Sequence, residues 1–262
     1  MTSFVFKAVF NLHFIILCLI ILQTTTVRAD DHNSYLFVGT TFPRILEKDD
    51  QNKPVGVSVD LLQKISKITG DTYEVRILPW TRALQMIKRG EASGLIGPYF
   101  SLERQKFMDY SDSPFYADKM IFISRAVDEF KWHGDYEQLM GYKILTIKNW
   151  FYGTAFEQIR EKLNIYEAVS SDNVLDMLYH NRTDLVALNE RTARLKIQQN
   201  NVERLIRITP HPINIIKGYF GFSKKRSEKS LQTRFNKALT HLYENGEIKS
   251  INAQYGLSFS GF

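Results

Sequence analysis

The residue types best suited to binding chemistry lie in one stretch, residues 97–116, with the sequence GPYFSLERQKFMDYSDSPFY. A short apolar run at 95–96 predicts a buried strand that ends in a turn at Gly97. Arg104 follows in a polar segment suited to a short helix, so its guanidinium is expected just beyond the strand end. A guanidinium placed there, beside free backbone N–H groups and hydroxyls, suits a planar carboxylate. The alternative interpretation is an Arg on a solvated turn, which is common at protein surfaces.

Residues that would support catalysis or metal binding are scarce. None of the six histidines lies at a predicted pocket turn, and no pair of them has the spacing of zinc ligands. No Gly-x-Ser-x-Gly motif occurs. An enzyme would need a general acid or base in the site, for which Glu190 is the candidate, with Glu103 further back. The sequence therefore predicts a binding protein without catalytic residues, metal or cofactor.

The first half of the chain alternates predicted strands with predicted helices. The strands are residues 35–41, 73–78 and 95–96. The helices between them begin near Ser58 or Asp60 and at Pro79, and end at Gly70 and Gly90. A β-α-β-α-β order is typical of a parallel sheet with right-handed crossovers.

Ligands of parallel sheets lie beyond the carboxyl ends of the strands. Phe42 follows the first predicted strand, Trp80 the second, and Gly97, Tyr99 and Arg104 the third. We therefore expect these five residues to converge on a ligand site, although a Trp at a helix start is often a core residue.

The second half of the chain repeats this architecture without repeating the sequence. Strands are predicted at 142–148 and 185–188, with two helices between them, which gives a β-α-α-β unit. An extended run at 216–222 then returns the chain to the first half. We predict an α/β fold with two lobes joined by two hinge strands, a ligand cleft between the lobes, and closure around the ligand.

The predicted domain boundaries follow from this path. Lobe 1 comprises residues 30–122 together with the returning segment 219–262, and lobe 2 comprises residues 123–218. Tyr152 in the turn after the second-lobe strand, and Asn189 and Glu190 at the end of the last strand, are the candidates that the second lobe would bring to the cleft.

The N-terminus has the pattern of an export signal. Lys7 precedes an uncharged apolar run at 14–22, which is too short to span a bilayer, and a small-residue cleavage motif ends at Ala29. We predict a signal peptide at residues 1–29. Because Cys18 is the only cysteine, the mature chain would contain no thiol. The alternative is an uncleaved N-terminal anchor.

The composition is that of an ordinary globular protein. Of the 262 residues, 44% are hydrophobic and 24% charged, with a formal net charge of +6. The basic residues are dispersed and form no stripe interleaved with aromatic residues, so nucleic acid is not predicted as a partner. A mildly basic surface instead favours anionic ligands or membrane headgroups.

Six segments in this order resemble the family 3 extracellular solute-binding proteins, the periplasmic receptors of polar amino acid ABC transporters. They are PVGVSVDLLQKISKITG, LPWTRALQMIKRGEASGLIG, SLERQKFMDYSDSPFY, GYKILTIKNWFYG, NRTDLVALNE and FNKALTHLYENGEIKSINAQYG. The resemblance covers about residues 35–256. It implies a type II periplasmic binding fold, a periplasmic location, a small-molecule ligand such as an amino acid or organic acid, an ABC permease as partner, and a monomer.

The resemblance also implies roles for individual residues. Arg104 matches the Arg that binds the ligand's α-carboxylate, and Phe42 is placed as the aromatic residue that stacks on the ligand. Asn189, with Glu190 beside it, stands where a carboxylate usually holds the α-ammonium. Tyr99 stands where Ser or Thr is common.

These departures bear on the ligand. An Asn cannot offset a buried ammonium as an Asp can. Additional aromatic residues, Tyr99 and Tyr152 among them, favour a flatter ligand held by stacking, such as a modified amino acid or an organic acid. Two alternative functions remain open on the same fold: a periplasmic enzyme similar to cyclohexadienyl dehydratases, and a sensory protein that acts through a signalling partner.

Overall fold

The computed structural model of the protein describes residues 33–259. The predicted signal peptide at residues 1–29, its cleavage site and Cys18 lie outside the described residues. Within residues 33–259, no helix combines the length and the apolar composition that crossing a membrane requires.

The described residues form strands and α-helices that we number separately in chain order. The strands are β1 Ser34–Gly39, β2 Glu47–Lys48, β3 Pro54–Val55, β4 Thr72–Ile77, β5 Gly94–Tyr99, β6 Met108–Tyr110, β7 Tyr116–Arg125, β8 Lys143–Ile147, β9 Asn164–Ala168, β10 Leu185–Asn189, β11 Ile206–Ile208 and β12 Asn214–Ser223. The helices are α1 Val57–Thr69, α2 Trp80–Arg89, α3 Leu102–Gln105, α4 Thr154–Ile159, α5 Val174–Tyr179, α6 Glu190–Gln199, α7 Lys229–Glu244 and α8 Glu247–Gln254.

The large sheet runs through both halves of the protein in the order β4-β1-β5-β12-β7-β10-β8-β9. Strands β4, β1 and β5 are parallel to one another, as are β10, β8 and β9. Between these two sets lie β12 and β7, which pair antiparallel with each other and with their outer neighbours. We call β7 and β12 the hinge strands, the β4-β1-β5 side the first lobe, and the β10-β8-β9 side the second lobe. The predicted fold class, two α/β lobes joined by two hinge strands, is confirmed.

The first lobe has the predicted order β1-α1-β4-α2-β5. Aromatic residues dominate its core, where Phe37 of β1 stacks on Phe235 of α7 with ring centroids 5.7 Å apart. Leu61 and Ile65 present the apolar face of α1 to this core and are fully buried. Both predicted glycine helix ends are observed, because Gly70 and Gly90 adopt left-handed conformations that glycine tolerates.

One predicted helix cap is wrong. Neither Ser58 nor Asp60 caps α1. The helix begins at Val57, and the residue before it, Gly56, has a φ of 121°. The Ser58 hydroxyl instead donates to the carbonyl of Ile45, and Asp60 accepts from the hydroxyl of Tyr255. Both side chains therefore connect α1 to other segments.

The second lobe contains a strand that the sequence pattern did not predict. Strand β9 lies between α4 and α5 and pairs parallel with β8, so the predicted β-α-α-β unit is in fact β-α-β-α-β, as in the first lobe. The strand forms the sheet edge and none of its residues is buried, so its sequence NIYEA lacks the apolar run of a central strand.

The hinge strands pair from Gly218 opposite Tyr116 to Asn214 opposite Met120. The predicted domain boundaries, after residues 122 and 218, fall within β7 and β12 respectively.

Candidate functional site

Arg104 is held at the end of β5 by its own short helix. The hydroxyl of Ser101 caps α3 by accepting the Arg104 backbone N–H at 3.2 Å. The Arg104 side chain is only 7% exposed. Its Nη1 donates to the carbonyl of Tyr99 at 2.7 Å, and its Nη2 donates to the carbonyl of Asn149, in the second lobe, at 2.6 Å. The guanidinium therefore connects the two lobes and is not on a solvated turn.

The charge of Arg104 has no carboxylate partner among residues 33–259. Burial lowers the pKa of this guanidinium, while the hydroxyl-bearing rings around it act in the opposite direction. An Arg stays protonated even so, and a buried cation without an ion-pair partner is costly. Two of its five N–H groups donate to these carbonyls and the side chain also interacts with Tyr110, so the guanidinium keeps only part of its donor capacity for an anion.

Trp80 and Asn149 complete this contact between the lobes. The Trp80 ring lies 5.5 Å from the Arg104 guanidinium carbon, within the range of a cation–π interaction. Its indole N–H donates to the same Asn149 carbonyl at 3.1 Å. The Asn149 amide in turn donates to the Thr81 hydroxyl at 3.2 Å. Asn149 has a φ of 62°, which Asn adopts more readily than most residues and which turns its carbonyl towards the first lobe.

Five of the predicted site residues line one small cavity at the strand ends, which we call the inner cavity. They are Phe42, Trp80, Gly97, Tyr99 and Arg104. Trp150 of the second lobe lines it as well. The volume is about 30 Å³, room for little more than one water molecule. The predicted convergence of these residues is thus observed, in a closed arrangement.

Phe42 is enclosed by the protein's own side chains. Its ring is 8% exposed and has edge contacts with Tyr99, Tyr116 and Trp150 at 5.9 to 6.2 Å. The guanidinium carbon of Arg191 lies 4.5 Å from the ring centroid. A planar cation of the chain therefore occupies one of the positions at which a ligand could stack on Phe42.

Gly97 provides a backbone acceptor in the cavity wall. Its φ of 82° lies in the left-handed region, and a Cβ at this position would come within 3.2 Å of the Tyr116 hydroxyl oxygen. That hydroxyl donates to the Gly97 carbonyl at 2.7 Å. The turn predicted at this position is therefore fixed by the first residue of hinge strand β7.

A buried ion pair beside the cavity was not predicted from the sequence. Arg191 of α6 pairs with Asp118 of β7, with Nη2 2.8 Å and 2.7 Å from the two carboxylate oxygens. Both side chains are less than 10% exposed. Burial acts to lower the pKa of Arg191, but the charge of Asp118 and the hydrogen bonds to it outweigh burial and raise it. In the sequence Asp118 stands directly before Lys119, so no local pattern indicated a buried partner 73 positions away.

Tyr99 belongs to the same network. Its hydroxyl donates to Asp118 at 2.8 Å, and its carbonyl accepts from Arg104. Burial and the nearby Asp118 charge raise the pKa of Tyr99 well above its usual value, so the hydroxyl stays protonated as a donor. Tyr99 thus connects the unpaired cation to the ion pair.

The three candidates from the second lobe line neither the inner cavity nor the outer cavity described below. Tyr152 is fully buried in the core, where its hydroxyl donates to the Ala187 carbonyl and accepts the Ile147 N–H. Asn189 is also fully buried, because it caps α6 by accepting the Thr192 N–H at 2.8 Å. Glu190 pairs with Arg194 and lines a separate cavity with Arg191. Sequence position placed these residues near strand ends, but capping and core packing direct their side chains elsewhere.

A second cavity adjoins Arg104 on the outer side of α3, and we call it the outer cavity. Its volume is about 570 Å³. Arg104 and Trp150 line both cavities. The outer cavity lies between α3 and the C-terminal part of α2 in the first lobe and the residue 149–158 segment of the second. Of the residues singled out in the sequence, Arg104 and the second candidate acid, Glu103, line it.

Metal ligation is not supported by the described residues, since residues 33–259 contain no cluster of three or more His, Cys, Asp or Glu side chains that could hold an ion. What the site offers is a buried cation, aromatic surfaces and backbone hydrogen-bonding groups. These suit the binding of a small anion.

Solved structures with the same fold include sensor and transport proteins. A histidine kinase sensor domain with similarity to periplasmic binding proteins has a TM-score of 0.74 at 20% identity, covering 86% of this chain and 97% of that chain. A putative L-cystine ABC transporter protein from Listeria monocytogenes has a TM-score of 0.70 at 17% identity, with coverages of 88% and 100%. An amino acid ABC transporter substrate-binding protein from Streptococcus pneumoniae, bound to L-arginine, has a TM-score of 0.70 at 18% identity, with coverages of 85% and 94%.

These identities are low, so the likenesses establish the fold only. No curated protein matches the chain. The profile of one family, however, matches residues 36–258, nearly all of the described chain. The protein therefore belongs to the bacterial extracellular solute-binding proteins, family 3, and has their periplasmic binding fold.

Proposed function

We propose that this protein captures a small carboxylate-bearing ligand, an amino acid or a related acid, by closure of its two lobes and delivers it to an ABC transporter. The observation that carries the proposal is the Arg104 guanidinium, which is buried between the lobes, has no carboxylate ion pair among the described residues, and has further N–H groups that would bind an anion. A ligand carboxylate would supply the missing charge.

Lobe closure is supported by the contacts that cross the cleft. Arg104 and Trp80 of the first lobe both donate to the Asn149 carbonyl of the second. The inner cavity alone is too small for an amino acid. A ligand must therefore separate the lobes or extend beyond this cavity, and its binding would change the contacts at Asn149.

The cellular role follows from the family. Extracellular solute-binding proteins act outside the cytoplasm, and a periplasmic or secreted location agrees with the predicted signal peptide. We propose an ABC permease as partner and a monomeric protein, as the resemblance implies. The L-arginine complex and the putative L-cystine transporter protein are relatives in fold whose named ligands are amino acids.

A sensory role is the second candidate function. The histidine kinase sensor domain is as similar in fold as the transport proteins are, and such a domain reports ligand binding to a signalling partner. The enzyme alternative has less support, because Glu190 is ion-paired with Arg194 and lines neither cavity, and Glu103, in the wall of the outer cavity, is ion-paired with Lys106. We therefore propose a protein that binds its ligand without transforming it.

The test is a calorimetric binding screen of amino acids and organic acids on the purified protein and its Arg104→Ala variant. Arg104→Ala removes a bidentate, charge-assisted hydrogen-bonding interaction with the ligand carboxylate, which should weaken binding by roughly a hundredfold or more. Arg104→Lys should recover only part of it, because an ammonium lacks the planar fork. Arg76→Ala, at an exposed Arg paired with Glu74, is the control for the same change in net charge. Equal affinities in Arg104→Ala and the unmodified protein would refute the site assignment.

A further inference from the structure

The outer cavity has the size of a ligand site. Its volume of about 570 Å³ lies within the range of roughly 300 to 1,000 Å³ that is typical of small-molecule pockets. The inner cavity, at about 30 Å³, lies far below that range. Because Arg104 borders both, a ligand that binds this guanidinium has room on the outer side.

The walls of the outer cavity are aromatic on both sides. The first lobe contributes Phe100 and Phe107, and the second contributes Trp150 and Phe151. Phe100 is 40% exposed, and its neighbour Leu102, also in the wall, is 74% exposed. Large apolar side chains left accessible next to a cavity are typical of a binding surface, since a folded protein otherwise tends to cover them.

The unpaired charges around this cavity are positive. Glu103 is paired with Lys106. Glu157 accepts the Tyr152 N–H and pairs with Arg160. That leaves Arg104, and also Lys88, whose ammonium lies 4.7 Å from the centre of the Phe107 ring and forms no ion pair within residues 33–259.

From these observations we infer that the ligand is an aromatic carboxylate, whose carboxylate binds Arg104 and whose ring lies in the outer cavity between the aromatic residues of the two lobes. This inference rests on the proposed function, in which Arg104 binds a carboxylate, and it adds the chemistry of the rest of the ligand. Offset or edge contacts with Phe107 and Trp150 would hold a flat ring, and the positive surroundings favour the anion.

The experiment compares two probes that share a carboxylate and differ by a ring, propanoate and 3-phenylpropanoate. Their affinities for the purified protein are measured by calorimetry, with NMR titration for the weaker probe. We expect 3-phenylpropanoate to bind at least about tenfold more tightly, because burial of a phenyl ring adds that much or more.

Two variants test where the ring lies. Thr154 is exposed at the first position of α4 and lines the outer cavity, so Thr154→Trp should fill the space and bring the ratio of the two affinities towards one. Phe100→Ala removes an aromatic wall residue that is partly exposed, and should lower the same ratio. Tyr179→Ala, at a 60% exposed aromatic residue outside the cavity, is the control and should leave the ratio unchanged. Circular dichroism confirms that each variant is folded.

The outcomes separate the two proposals. If both probes bind in an Arg104-dependent manner but with equal affinity, or if Thr154→Trp and Phe100→Ala leave the ratio as it was, the outer-cavity inference is refuted while the proposed function stands. If neither probe binds while an acid from the calorimetric screen binds in an Arg104-dependent manner, the inference is refuted and the proposed function stands. If no acid binds in an Arg104-dependent manner, the proposed site fails and the inference fails with it.

Discussion

Arg191 and Asp118 face each other across the base of the cleft, where Nη2 of Arg191 lies 2.8 Å and 2.7 Å from the two carboxylate oxygens of Asp118. The same guanidinium donates through Nη1 to the carbonyl of Pro43, just after β1. One side chain of α6 thus joins the second lobe, a hinge strand and the first lobe. A buried pair of this kind leaves an uncompensated charge when one partner is removed.

We predict that Asp118→Ala lowers the free energy of unfolding by about 3 to 5 kcal/mol, because it leaves the Arg191 cation buried without its partner. Urea denaturation measures the change. Glu74→Ala is the matched control, since Glu74 pairs with Arg76 at 54% side-chain exposure and its loss should cost no more than about 1 kcal/mol.

The double variant Asp118→Leu with Arg191→Met removes both charges and should be more stable than Asp118→Ala. A cost for Asp118→Ala no larger than that of Glu74→Ala would show that the ion pair does not hold these segments together.

The fold was largely predictable from the sequence because its central elements carry strong local signals. Apolar runs, the alternating pattern of β4 and glycine helix ends place β1, α1, β4, α2 and β5, and the position of Arg104 just after β5 predicted that it lies at the strand end. Edge strand β9 was missed because its sequence, NIYEA, has neither an apolar run nor the regular alternation that marks β4 at the other edge.

The composition of the site was less predictable, because it depends on where side chains point after packing. Asn189 and Tyr152 follow strand ends as expected, yet the first caps a helix and the second packs into the core. The pairing of Arg191 with Asp118 spans 73 positions and carries no local pattern. Long-range polar contacts of this kind are set by the tertiary structure, not by local sequence preferences.

Asn149 is predicted to act through its backbone. Its φ of 62° directs its carbonyl to Arg104 and Trp80. Asn149→Gly should therefore retain the contact with a small change in thermal stability, whereas Asn149→Val should cost about 1 to 2 kcal/mol, since a β-branched residue disfavours this conformation. Thr81→Ala, which removes only the partner of the Asn149 amide, is the control. Equal stability of the Gly and Val variants would contradict the prediction.

Asn189 is predicted to be a structural cap. Its side-chain oxygen accepts the Thr192 N–H, while its amide nitrogen is buried without a partner. Asn189→Ser keeps a side-chain oxygen that can cap the helix. Asn189→Ala has no such oxygen, and its side chain is similar in size to that of Ser. We expect the Ala variant to be less stable than the Ser variant by about 0.5 to 2 kcal/mol in urea denaturation. If the two variants are equally stable, the cap contributes nothing and Asn189 is free for another role.

Alkaline pH should destabilise the protein through its buried tyrosines. Burial raises the pKa of Tyr73 to about 12, against an ordinary value of 10.0; the hydrogen bond with Thr69 acts in the opposite direction, and the Asp71 charge raises the pKa further. A raised pKa in the folded state means that the folded protein retains a proton which the unfolded chain loses. The resulting stability is complete below pH 10 and is lost as the pH rises towards 12.

Tyr73→Phe removes this titrating group. In that pH interval the free energy of unfolding of the variant should therefore fall less steeply than that of the unmodified protein, by up to about 1.4 kcal/mol per pH unit. Urea denaturation at pH 7 and at several values above pH 10 measures both slopes, and the comparison at pH 7 isolates the cost of losing the hydroxyl. Parallel slopes in the two proteins would contradict the assignment to Tyr73.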